Sequence, residues 1–187
     1  MKAGDLLGFS GANIISDLVN IATYGVPRWG VSHVAIVGDT ADGRSLLWES
    51  TTLDELPCEI AGRSVEGFQA HSIDASIERY RGRVWLYPLY RGLYHAERQR
   101  LTTVLTALIG TPYDKLGAAR SAGIGLSWVE HLFRPEDLRT IFCSEAVAAI
   151  YSTLGLCPSK SASRWNPNRL VRRYRRAGIL LKPERLK

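Results

Sequence analysis

The stretch Val31-Ser32-His33-Val34-Ala35-Ile36-Val37 limits what this chain can fold into more than any other segment. A short, nearly all-apolar run reads as a buried central strand. A second apolar strand, Leu46 to Thr51, follows the polar loop Asp39-Thr40-Ala41-Asp42-Gly43, which has hairpin length. Each strand carries one titratable residue, His33 and Glu49. A buried glutamate needs a partner, because unpaired burial is costly. If the loop Asp39 to Gly43 joins the strands directly, Gly38 pairs with Arg44 and His33 faces Glu49 on the same side, with Cβ atoms about 4.5–5.5 Å apart. Two readings of that pair are open. It is a satisfied polar contact that sets strand register, or a carboxylate that orients a catalytic imidazole.

Elsewhere Gly4 to Phe9 and Arg83 to Leu89 read as strands. Asn13 to Thr23 reads as a helix from Ile14, Ile15, Leu18, Val19 and Ala22, with Gly25 past its end. Leu101, Val104, Leu105, Leu108 and Ile109 form a helical stripe. Thr111-Pro112-Tyr113-Asp114 has the residues of a helix start, and Asp114 is explained as its N3 cap. A further helix runs from Cys143 to Leu154, closed by Gly155, and Asn166-Pro167 opens a last one that ends near Gly178. Strands first and helices mostly later predict an α+β domain with an antiparallel sheet packed against helices. The 187 residues suit a single domain, 1–187. Their 45% hydrophobic and 22% charged content excludes a disordered or collagen-like chain.

Cysteine narrows the chemistry. Cys58, Cys143 and Cys157 are odd in number and none forms a CxxC, so a disulfide framework is not expected and a reducing compartment is the simplest home. Cys143 lies in Phe142-Cys143-Ser144-Glu145, and Thr140 is placed to cap that helix, which puts Cys143 in the first turn. A helix N-terminus and a nearby histidine both lower a thiol pKa, and free N–H groups there can stabilise an oxyanion. Cys143 also shares the apolar stripe of Val147 and Ile150, so core packing is the better reading of the residue taken alone. Cys58 and Cys157 read as loop residues.

The ordered set Gly4-Asp5-Leu6-Leu7-Gly8-Phe9, Ser32-His33, Trp48-Glu49-Ser50, Pro112-Tyr113-Asp114 and Phe142-Cys143-Ser144-Glu145 resembles the circularly permuted branch of the NlpC-like papain-fold cysteine hydrolases. That resemblance implies a permuted papain-like fold. It also implies Cys143 as nucleophile, His33 as general base and then acid, and Glu49 as the orienter of His33. Tyr113 is implied as a pocket or oxyanion residue, while Glu145 and Ser32 receive no catalytic role. Some relatives carry a different polar third member, so of the three assignments that of Glu49 follows least directly from the resemblance. The expected reaction is cleavage of an amide through an acyl-enzyme, with cell-wall peptide as the leading substrate and a bacterial or phage setting. The alternatives are a lipid-directed thioesterase or acyltransferase, and a non-enzymatic binding module.

Other signals are weaker. His71, His95 and His131 have no partner at metal-ligand spacing, and no metal or other cofactor is expected. Gly117 to Gly125 lacks the lysine of a phosphate loop, and Trp128 and Phe133 beyond it read as lid or core. Specificity is assigned to the loops Leu53 to Ser76 and Gly117 to Pro135. No apolar run is long enough to span a membrane and no signal sequence opens the chain. A cytoplasmic protein as translated is expected, which leaves delivery to the envelope by lysis, by injection or within a virion open. The net charge of +6 is uneven: Met1 to Glu59 holds three basic and eight acidic residues, Arg164 to Lys187 nine basic and one acidic. The last helix, about 166–178, carries Arg169, Arg172, Arg173 and Arg176 along one stripe, with Leu170, Val171 and Tyr174 on another side. It reads as a solvated face or as an appendage that meets an anionic polymer or lipid surface. Nucleic acid ranks last, because no stacking-aromatic motif accompanies the arginines.

Overall fold

The structure, a computed structural model, describes residues 1–11, 30–51, 56–111, 142–157 and 167–187. Six strands occur in it: β1 (Leu6–Gly11), β2 (His33–Asp39), β3 (Ser45–Thr51), β4 (Gly67–His71), β5 (Gly82–Tyr87) and β6 (Glu184–Arg185). They form one sheet in the order β4-β3-β2-β1-β5-β6, and every neighbouring pair is antiparallel. The described helices are α1 (Ile73–Arg79), α2 (His95–Leu108), α3 (Phe142–Thr153) and α4 (Pro167–Arg176).

Both faces of the sheet are covered, which is why β2 is apolar at successive positions. On one face Leu6, Val34, Ile36, Trp48 and Tyr87 join the apolar stripes of α2, α3 and α4 in the larger core. On the other, Leu7, Phe9, Ala35, Val37, Leu47, Val84 and Leu86 meet Ile73, Ile77 and Tyr80 in a smaller one. Gly38 lets the layers close, since a Cβ there would lie 2.2 Å from Leu105 Cδ1 and 3.1 Å from the Trp48 ring. Trp48 Nε1 donates to the Gly38 carbonyl at 3.0 Å.

The motif order suggested a permuted papain-like (NlpC-like) fold, and that expectation is corrected here. Motifs fix the sequence of elements, not which strands become neighbours. The neighbours that form build a six-stranded antiparallel sheet with a few helices. The stretch Leu53 to Ser76, read as a loop, contains β4 and the start of α1. Its polar–apolar alternation over five residues is too short to stand out without its partner β3.

The C-terminal helix is corrected too. α4 is not an appendage: Pro167, Asn168, Leu170, Val171 and Tyr174 are buried, and Asn168 Oδ1 accepts from the Val31 N–H at 2.6 Å. The Tyr174 ring stacks on Tyr151 at 5.4 Å, and the Tyr151 hydroxyl donates to the Gly4 carbonyl at 2.5 Å. Its arginines line the outer side, where Arg169, Arg172, Arg173 and Arg176 are exposed. The proposed helix Asn13 to Thr23, the helix start at Thr111-Pro112-Tyr113-Asp114 beyond Thr111, the stretch Gly117 to Pro135 and the Thr140 cap lie outside the described residues. Among the described residues no helix is long and apolar enough to cross a membrane.

Candidate functional site

The hairpin that carries His33 and Glu49 closes more tightly than a five-residue loop. The Thr40 N–H donates to the Arg44 carbonyl at 2.8 Å, leaving Ala41 to Gly43 as the connection, with Gly43 at φ 84°. A three-residue turn ending in a left-handed glycine is a common hairpin closure. It draws the register two residues along. Gly38 pairs with Leu46, not Arg44, and Asp39 with Ser45. A shift of two preserves the face of every side chain, where a shift of one would invert it. Glu49 therefore stands diagonal to His33 instead of opposite it, still on the same face and within reach of a long side chain.

Contact follows from that placement. His33 Nε2 meets Glu49 Oε2 at 2.7 Å. The Phe9 ring lies 5.7 Å from the imidazole and is itself met edge-on by Tyr80 at 4.9 Å, which walls the histidine on one side. With Nε2 taken by Glu49, the other ring nitrogen, Nδ1, is the one left for Cys143, whose thiol lies close enough to His33 for the two to act on each other's charge. Cys143 is the second residue of α3 and is buried. Three elements, β2, β3 and α3, thus bring His33, Glu49 and Cys143 together. Tyr113 lies outside the described residues, as does the side chain of Glu145.

The electrostatics of the three are mutual. Burial pulls the His33 pKa down, but the charge and hydrogen bond of Cys143 and those of Glu49 outweigh it and push it up to about 10. Burial raises Glu49, but hydrogen bonds from His33 and His71, with their charges, bring it down to about 2. Burial likewise pushes the Cys143 thiol up. The charge and hydrogen bond of His33 and the backbone N–H groups of Val34 and Ser144 prevail and hold it below its ordinary value. A thiolate beside an imidazolium is the nucleophilic form of cysteine.

One member was missed from sequence. His71, set aside for lack of metal-ligand spacing, places Nδ1 3.0 Å from Glu49 Oε1 and Nε2 3.1 Å from Gln69 Oε1. What places it there is the β3–β4 register, which sets Gln69 opposite Glu49 and His71 opposite Leu47, all on one face. Side-chain exposure falls from 24% at His33 to 13% at Glu49 and 4% at His71, so the chain runs inward from the surface. Gly4-Asp5 is structural in its contacts. Asp5 is buried, and its carboxylate accepts from the N–H groups of Lys2 at 2.7 Å and Leu89 at 2.9 Å.

No family model and no curated protein matches the chain. Among solved structures it is similar to the crystal structure of the metalloprotein yiiX from Escherichia coli O157:H7, a DUF1105 protein, with a TM-score of 0.52 and 16% identity. The match covers 82% of this chain and 67% of that one. At that identity the likeness concerns the fold alone, and the fold it points to is that of a DUF1105 protein.

Proposed function

We propose that this chain is a thiol-dependent hydrolase that cleaves an amide bond through a Cys143 acyl-enzyme, with cell-wall peptide as its leading substrate. The observation that carries the reading is the junction of Cys143, His33 and Glu49 with the thiol pKa lowered and the imidazole pKa raised. The order of the motifs, similar to that of NlpC-like thiol hydrolases, supports it.

In this reading the Cys143 thiolate attacks the carbonyl carbon, and the electron pair of the C=O bond moves to oxygen. As the tetrahedral adduct collapses, His33 gives its Nδ1 proton to the departing amine, leaving a thioester. A water then gives a proton back to Nδ1 and attacks the thioester. The acid leaves and the thiolate re-forms. Glu49 holds the ring by Nε2 and stabilises the imidazolium at each stage.

The solved neighbour is described as a metalloprotein. Among the described residues of this chain no group of three or more His, Cys, Asp or Glu is arranged to hold an ion. Glu49 turns its two oxygens to two histidines instead. These residues do not fit a metal, and no step above passes through one.

Two measurements test the proposal. Iodoacetamide at pH 6 should label Cys143 far faster than Cys157, the partly exposed thiol that serves as internal reference. Purified wall peptides should release a new amine with the parent chain and none with Cys143→Ala. Equal labelling of the two thiols, or amine release by Cys143→Ala, would overturn it.

A further inference from the structure

We propose that His71 is a positioning residue for this site: it ties down one carboxylate oxygen of Glu49 so that the other stays aimed at His33. The inference rests on the hydrolase reading of Cys143, His33 and Glu49 and assigns a fourth residue to it.

The geometry carries the assignment. Glu49 divides its carboxylate between two imidazoles, Oε2 to His33 at 2.7 Å and Oε1 to His71 at 3.0 Å. An ionised carboxylate only accepts, so the hydrogen between Glu49 and His71 belongs to His71 Nδ1. The second ring nitrogen of His71 meets the side-chain amide of Gln69 at 3.1 Å, and with the hydrogen on Nδ1 it is the Gln69 amide N–H that donates to it. Both nitrogens being spent, and the side chain only 4% exposed, His71 has nothing to offer a substrate and acts through Glu49. Its own support is rigid. Gln69 is fully buried and directly opposite Glu49 in the ladder, and Ser72, next in the chain, caps α1 by accepting from the Ala75 N–H at 3.4 Å.

A carboxylate anchored through one oxygen alone can turn about its last side-chain torsion. Anchored through both, it cannot turn without breaking a hydrogen bond in a buried place, where the loss is expensive. His71 is thus a second tether that keeps the imidazole of His33 in one tautomer and one orientation. The arrangement is the outer-shell logic of oriented histidines, with a histidine supporting the carboxylate.

The test reads His33 directly. Ring nitrogen NMR titration gives the His33 pKa in the parent chain and in Cys143→Ala, each with and without a change at position 71. Asn places its amide nitrogen near where His71 Nδ1 lies, whereas Gln reaches to the Nε2 position. His71→Asn should leave the His33 pKa close to that of its own background. His71→Gln and His71→Phe should lower it by about one pH unit, roughly a tenfold change in the imidazole equilibrium. The Asn and Gln variants are both small and polar, so the comparison survives if His71→Phe does not fold. Equal His33 pKa values in the Asn and Gln variants, in both backgrounds, would show a merely structural histidine and overturn the proposal. Because the Cys143→Ala background contains no nucleophile, the outcome for His71 is separate from that for the hydrolase. An ordinary thiol reactivity of Cys143 in the parent chain defeats the latter without touching the former.

Discussion

At the scale of single residues, the site depends on one carboxylate with two dependants. Glu49→Gln keeps the size of the side chain and removes its charge. Under the proposed hydrolase reading it should lower turnover by roughly 10²–10⁴-fold, the range of a disabled acid–base group, and it should slow Cys143 alkylation at pH 6. The sign of its effect on stability is also fixed. Glu49 titrates near 2 in the folded chain against an ordinary value of 4.5, so its contribution is fully present above pH 4.5 and is lost as the pH falls towards 2. His33, raised from 6.5 to about 10, contributes fully below pH 6.5 and loses that contribution as the pH rises through 10. Cys143, lowered from 9, works in the opposite sense over part of that alkaline range. The acid limb is therefore the clean one. Thermal melts between pH 5 and pH 2.5 should fall more steeply for the parent than for Glu49→Gln.

At the scale of elements, the closest fit is between β2 and its two coverings. Gly38→Ala sets a methyl group 2.2 Å from Leu105 Cδ1, on a side chain that is fully buried. It should cost about 1–3 kcal/mol, as overpacked cores do. Asn168→Ala removes the acceptor of the Val31 N–H just ahead of β2 and leaves that buried donor unmet, for about 1–3 kcal/mol. Both losses should appear as lower melting temperatures, at about 2–4 °C per kcal/mol for a chain of this size. These elements also show how far the sequence could be read. The apolar run at Val31 to Val37 and the stripe of Leu101, Val104, Leu105 and Leu108 mark a strand and a helix by period alone. The pairing of His33 with Glu49 was legible because any even error in register preserves the face. The two-residue error itself came from the Thr40–Arg44 closure, which turns on a hydrogen bond and a left-handed glycine rather than on hydrophobic pattern. His71 was illegible for a related reason. Its role exists only once β4 lies beside β3, and a pairing across a long connection leaves no local mark.

At the scale of the whole molecule, the sheet separates two covered faces of unequal size, and the functional residues divide between them. Glu49, Gln69 and His71 are held by strand pairing, while Cys143 rides on a helix that belongs to the larger core. The positive charge of the last segment lies on the outer side of a helix whose inner side is core, so neutralising the exposed Arg176 should leave the melting temperature within about 2 °C. Salt-dependent retention on an anionic resin should fall in the same variant. The division of labour between sheet and helix has an evolutionary corollary. The thiol sits in the first turn of α3, so a duplicated gene copy can exchange Cys143 for another small residue while β2, β3 and β4 keep their polar ladder. If the proposed hydrolase reading holds, descendants without that activity should then be recognisable by an intact His33–Glu49–His71 row beside a missing cysteine.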